Sequence, residues 1–128
     1  MAFVTDTMAL VLFLENRKSG SHASSIFQQA QQGQETIHIP AIVMAEVGYL
    51  SERGRITCTL ADILTLVEHT SCFQSLPLSH NIIERAFTIP DIPELHDRLI
   101  AASANYLGLA LITNDPAIIN SAYCNTIW

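Results

Sequence analysis

The chain has 128 residues, a formal net charge of −6, 49% hydrophobic residues and only 14% charged ones. That length suits one domain, 1–128, around one buried core, and the apolar content rules out a disordered chain. The longest apolar run, Met8 to Leu14, is far short of the roughly 20 residues of a membrane-spanning helix and follows an acidic residue, not the basic start of a secretory signal, so the expectation is a cytoplasmic protein with no membrane contact.

Taken in order, Ala2-Phe3-Val4-Thr5 reads as a buried strand that ends on Asp6, and Thr7 to Leu14 as a helix stopped by the polar cluster Asn16 to Ser21. A second helix runs to Gly33, with Ser21 or Ser24 as its expected cap, and Thr36 to Ile39 is a second strand. Pro40 suits a helix start, where its missing N–H costs nothing, and that helix runs from Ala41 to about Arg53 with Gly54 behind it. Thr59 to His69 is helical, Thr59 and Asp62 having the spacing of a capping box. Ser71 to Leu76 is a third strand, Ser79 caps a helix over Asn81 to Phe87, and Pro90 and Pro93 stiffen the loop that follows. A helix opens around Glu94 to Asp97 and ends before Gly108. Leu109 to Thr113 is a fourth strand, apolar throughout as in a strand covered on both faces; Pro116 begins a short helix, and Thr126 to Trp128 is an edge strand. Strands alternating with helices, without hairpin signals, predict an α/β layered fold with a central, mostly parallel sheet.

Ligands bind beyond the carboxyl ends of parallel strands, where the strand order reverses. Asp6 and Asp115 stand there if the first and fourth strands are neighbours. Glu46 shares a helix face with Ile42, Val43, Tyr49 and Leu50, and Asp97 aligns with Ile100, Ala101 and Ala104, so both are expected to point inward. Each acid alone has a simpler reading, as a helix cap or a first-turn residue. Together they gather carboxylates whose unpaired burial would be costly, in a chain with only six Lys plus Arg against twelve Asp plus Glu, which points to a divalent cation. An all-oxygen donor set suits Mg²⁺ or Mn²⁺, whereas zinc asks for His or Cys. Cys58, Cys72 and Cys124 are widely spaced and form neither a disulfide framework nor a zinc knuckle. His96 beside Asp97 is expected to be a surface or capping residue and not a general base.

Val4-Thr5-Asp6-Thr7, the segment Pro40 to Val47 around Glu46, the segment His96 to Ala104 that begins His96-Asp97-Arg98, and Leu111-Ile112-Thr113-Asn114-Asp115 resemble, in order and spacing, the motifs of PIN-domain ribonucleases. The similarity is greatest to the VapC-like toxins of bacterial toxin–antitoxin pairs. The resemblance implies a three-layer α/β/α domain and Mg²⁺- or Mn²⁺-dependent endonuclease activity on RNA. It also implies a homodimer and neutralisation by a cognate antitoxin. It gives Asp6, Glu46, Asp97 and Asp115 the role of catalytic, metal-coordinating acids and Thr113 that of a hydroxyl behind them. Family members often carry another acid after the last motif, where this chain has Pro116-Ala117-Ile118, so the resemblance does not extend to a second metal position.

The acidic net charge lacks the basic footprint of most nucleic-acid binders, and a bound cation would offset it. Arg17, Lys18, Arg53, Arg55 and Arg98 are candidates for contacts to flanking phosphates, and Leu12, Phe13, Tyr49 and Leu50 for the homodimer contact and an antitoxin groove. A receiver domain would need adjacent acids after the first strand and a late lysine, and a haloacid-dehalogenase-type phosphatase would need a second acid at Met8. The remaining alternative is a PIN-like RNA- or protein-binding module without significant catalysis.

Overall fold

The short apolar run at the amino end becomes the middle of the sheet, because a strand with no polar side chain facing out is stable only when covered on both faces. The structure, a computed structural model, describes residues 1–128. Its elements are β1 (Ala2–Thr5), α1 (Thr7–Leu14), α2 (Ser21–Gln31), β2 (Thr36–Pro40), α3 (Ala41–Glu52), α4 (Leu60–His69), β3 (Phe73–Leu76), α5 (His80–Ala86), α6 (Leu95–Leu107), β4 (Ala110–Ile112), α7 (Pro116–Ile119) and β5 (Thr126–Ile127). The five strands lie in the order β3-β2-β1-β4-β5. Every neighbouring pair is parallel, and helices flank the sheet. The α/β expectation holds, with a sheet that is parallel throughout.

Register places Thr5 of β1 opposite Ile112 of β4, and the ladder runs one step further through Asp6 N to Ile112 O at 3.1 Å. The strand order turns back on itself between β1 and β4, so the switch point of the sheet falls between Asp6 and the residues after Ile112. Val4, Leu111 and Ile112 are fully buried there, and Ala101, Ala102 and Ala104 of α6 pack among the core side chains. Small residues let α6 approach its neighbours closely, which carries Asp97 toward the same edge.

Caps set most helix boundaries. The Thr59–Asp62 capping box forms reciprocally, and Gly108, at φ 67°, closes α6 in the left-handed conformation that glycine tolerates best. The expected serine cap of α2 is not used: Gly20 holds the N-cap position and makes no side-chain bond, with Ser21 already inside the helix. Phe13, expected at a homodimer contact, is half-buried. Its ring stacks on Phe27 at 4.7 Å between centroids and on Phe73 at 5.5 Å, tying α1 to α2 and β3.

Glu15, at the end of α1, fastens a distant loop. Its carboxylate accepts from Cys58 N at 3.0 Å, Thr57 N at 2.7 Å and Thr57 Oγ1 at 2.9 Å. Those donors, the Cys58 and Thr57 amides foremost, hold its pKa down at about 2. A carboxylate held below its ordinary value stabilises the fold above that value and stops doing so as pH falls through the depressed one. Melting temperature is therefore expected to drop between pH 4.5 and about 2 in the parent. In Glu15→Gln it is lower at neutral pH and changes less over that interval; superimposable pH profiles in calorimetry would remove this role for Glu15.

Candidate active site

The four acids come from four different elements. Asp6 leaves the end of β1 and caps α1, its Oδ1 accepting from Ala9 N at 2.8 Å. Asp115 follows β4 and caps α7, its Oδ1 accepting from Ala117 N at 2.9 Å. Glu46 sits in the middle of α3, and Asp97 in the first turn of α6, where its backbone N–H donates to the Glu94 carboxylate at 2.7 Å. The cap readings and the site reading are thus compatible, since a carboxylate that caps with one oxygen still presents the other.

All four line one cleft of about 460 Å³ at the carboxyl edge of β1 and β4, within the usual size range of ligand pockets. Asn114, Met8, Pro116 and Trp128 share its wall. No Lys or Arg lines it, and none forms an ion pair with any of the four acids; the one basic neighbour is His96, whose Nδ1 is 3.5 Å from Glu46 Oε2 and 3.5 Å from Glu94 Oε1.

Only Asp6 is truly buried, at 7% exposure. Glu46 and Asp97 are half-buried and look into the cleft, which corrects the expectation that both enter the interior. The buried stripe of α3 is Val43 and Val47, and Glu46 lies beside it on a flank with Ile42, Tyr49 and Leu50, where Tyr49 is 58% exposed. Helical spacing identified the correct side chains as neighbours but assigned the wrong flank to the core.

Nor is Asp6 left unpaired. Thr113 Oγ1, fully buried, donates to Asp6 Oδ2 at 2.5 Å and accepts from Asp115 N at 3.1 Å, so one hydroxyl links the two strand-end acids. Thr7, missed from the sequence, does the same for Glu46, donating from Oγ1 to Oε1 at 2.5 Å.

Electrostatics record the crowding of negative charge. Burial pushes the Asp6 carboxyl upward against the pull of Thr113 and Ala9, and Asp115 and Glu46 add to the rise. Asp97 is pushed up to about 6, by burial first and then by Asp115, Glu94 and Glu46. Like charges gathered without a cation disfavour ionisation in this way. The donor set is all oxygen and suits Mg²⁺ or Mn²⁺ over softer metals. As the side chains stand, no three of the acids converge on one point as ready ligands. The chemistry of the site fits a hard cation.

Of the arginines expected at flanking phosphates, Arg17 bonds Glu15, and Arg98 is held by the carbonyls of Ile92 at 2.7 Å and Pro93 at 3.3 Å. Arg98 is thereby tied to its own loop, whereas Arg17 remains 55% exposed.

A comparison with protein families matches residues 3–122 to the PIN domain. The chain belongs to the PIN-domain family. No curated protein is similar enough in sequence to count as a match. Among solved structures, the PIN domain is similar to VapBC2 from Rickettsia felis bound to a promoter DNA fragment, with 19% identity, coverage of 99% of this chain and 98% of the other, and a TM-score of 0.71. DNA-bound VapBC from Salmonella typhimurium aligns at 16% identity over 99% and 97% of the two chains with a TM-score of 0.72. VapC20 of Mycobacterium tuberculosis, described as a sarcin-ricin loop cleaving toxin, aligns at 12% identity over 96% and 98% with a TM-score of 0.62. These likenesses establish the fold of the PIN domain over nearly its full length. No helix is long and apolar enough to cross a membrane.

Proposed function

We propose that this PIN domain is an endoribonuclease that hydrolyses RNA phosphodiester bonds with Mg²⁺, or Mn²⁺, and serves as the toxin of a toxin–antitoxin pair. The observation that carries the reading is the cleft at the switch point, where Asp6, Glu46, Asp97 and Asp115 meet with no Lys or Arg to balance them. Those four residues would hold the metal. When bound, the cation supplies an activated water for in-line attack on phosphorus and stabilises the leaving oxygen.

The chain's own residues supply orientation. Asp6 is held rigidly by the Thr113 hydroxyl and the Ala9 amide, Glu46 by the Thr7 hydroxyl, and Asp115 by its bond to the Ala117 amide. Hydroxyls and amides behind a ligand fix its direction, and losing such a support typically costs 10- to 100-fold in metal affinity or activity. Asp97, less constrained, is the carboxylate free to adjust. No nucleophilic side chain is required.

The antitoxin part of the reading is supported by the VapBC structures, which carry the toxin and antitoxin together, and by an apolar hollow lined by Ile42, Ala45, Tyr49 and Leu50 next to Glu46. A protein segment seated there would lie beside the acids. The exposed Tyr49 is also the best remaining candidate for the homodimer contact. A binding module without catalysis is the second reading, favoured by the lack of a ready-made three-acid ligand set.

Cleavage of structured RNAs separates the two. The parent is expected to cut in Mg²⁺ or Mn²⁺ and to stop in excess chelator, and Asp97→Asn is expected to cut far more slowly. Cutting that persists in chelator excludes the metal mechanism, and an uncut RNA favours the binding module. Stability gives an independent readout. Without metal, the raised Asp97 contributes stability that is fully present below the ordinary carboxylate range and is lost as pH rises through about 6. Mg²⁺ is therefore expected to raise the melting temperature above pH 6 and to have little effect near pH 4, where proton and metal compete for the same oxygens. An equal shift at both pH values argues against these acids as the binding site.

A further inference from the structure

We infer that Trp128 is a substrate-positioning platform on which a nucleobase beside the scissile phosphate stacks. The inference rests on the ribonuclease reading for its substrate and on three independent placements for its geometry. First, β5 pairs with β4 so that Ile112 faces Ile127, and Thr113 N donates to Ile127 O at 3.1 Å. Trp128 therefore leaves the sheet at the same edge as Asp6 and Asp115, and it is one of the residues lining the cleft that holds the four acids.

Second, the residue is seated. His22 Nδ1 lies 3.1 Å from Trp128 O, and Gly20 lies directly against it. A Cβ at Gly20 would stand 2.5 Å from Trp128 Cδ1 and 2.6 Å from its carbonyl carbon, closer than real contacts allow. The φ of Gly20 is −62°, which any residue adopts, so the glycine is explained by the close approach of Trp128 and not by backbone conformation. The indole is nevertheless only half-buried.

Third, the cleft has acids and apolar groups but no Lys or Arg, in a chain of net charge −6. Counter-charge from side chains cannot hold the RNA strand here. Base–aromatic stacking binds nucleic acid through the π-face of the base and needs no protein cation, and tryptophan offers the largest such face. Trp128 is the wall residue able to do this, with Met8 and Pro116 as smaller apolar neighbours.

Trp128 is also the only tryptophan, so its emission reports on this one place. In Mg²⁺, a short oligoadenylate added to the parent is expected to quench that emission on mixing, before any strand is cut. An abasic strand with the same phosphates is expected to leave it unchanged. Trp128→Ala should raise KM about tenfold, within the range of a lost base stack, and lower kcat far less. Trp128→Phe should recover most of the loss, and Gly20→Ala, which must displace Trp128, should reproduce it with every acid in place. Emission unaffected by oligoadenylate, or quenched equally by the abasic strand, overturns the platform. RNA cut without quenching removes the platform and keeps the nuclease; base-dependent quenching without any cutting keeps the platform and removes the nuclease.

Discussion

Asp6→Asn is expected to reduce RNA cleavage about a thousandfold, the scale seen when one preorganised group facing developing charge is removed, while the protein stays folded or gains stability. The two effects separate because Asp6 is strained by its charge and not by its shape. Its carboxyl is buried, and burial raises its pKa, so ionising it in the metal-free protein costs stability. An asparagine keeps the size and keeps an oxygen for Ala9 N, and its amide can donate to the Thr113 hydroxyl, which has lone pairs to accept. The charge needed to bind a cation is gone, and so is the charge that resists burial. Chemical denaturation and cleavage assays on the same preparation check both halves. Cleavage within a few-fold of the parent would remove Asp6 from the site, and a large loss of stability would mean that its charge, not its bonds, supports the fold.

The second large effect lies at the far end of the sheet. Phe73 is 1% exposed and stacks against Phe13 and Phe27 at 5.5 and 6.2 Å between ring centroids. Phe73→Ala removes a ring from a place where β3, α1 and α2 meet, and the stiff neighbours cannot all collapse into the space. Such truncations cost about 3–5 kcal/mol, a large share of the roughly 5–15 kcal/mol that holds a domain folded. The urea midpoint is expected to fall sharply with an unchanged slope. β3 is the edge strand remote from β4, so cleavage per folded molecule should be unaltered. A loss under about 1 kcal/mol would show that the cluster repacks, contrary to the usual cost.

Much of the fold was legible because local signals and burial agreed. The apolar run before Asp6 and the Thr59–Asp62 spacing each had one sensible reading, and each formed, whereas Pro40 ends β2 as the N-cap of α3 and does not sit in the helix's first turn. Strand ends were less legible: β3 begins at Phe73 and not Ser71, and β4 covers Ala110–Ile112 and not Leu109 to Thr113, because pairing with a neighbour decides where a ladder stops. Gly20 could not be recognised as a cap, since its reason is Trp128, more than a hundred residues away in sequence. At the site, helical period found Glu46 and Asp97 but not their depth, which depends on what covers the flank. Thr7 and Thr113 differ in the same way. Thr113 was suggested by the family resemblance, whereas the partner of Thr7 lies on another helix and no spacing rule reaches it.

The bond from Thr113 to Asp6 spans 107 positions of the chain. Contacts of such separation form late, because closing a long loop must precede any gain from the contact. Synthesis proceeds from the amino end at roughly 5–20 residues per second, so Asp6 emerges several seconds before its partners exist. During that interval β1 lacks its neighbour on one side, and the acid that opens the chain has no hydroxyl to hold it. The four acids can therefore come together only after synthesis has passed Asp115 and β4 has docked beside β1.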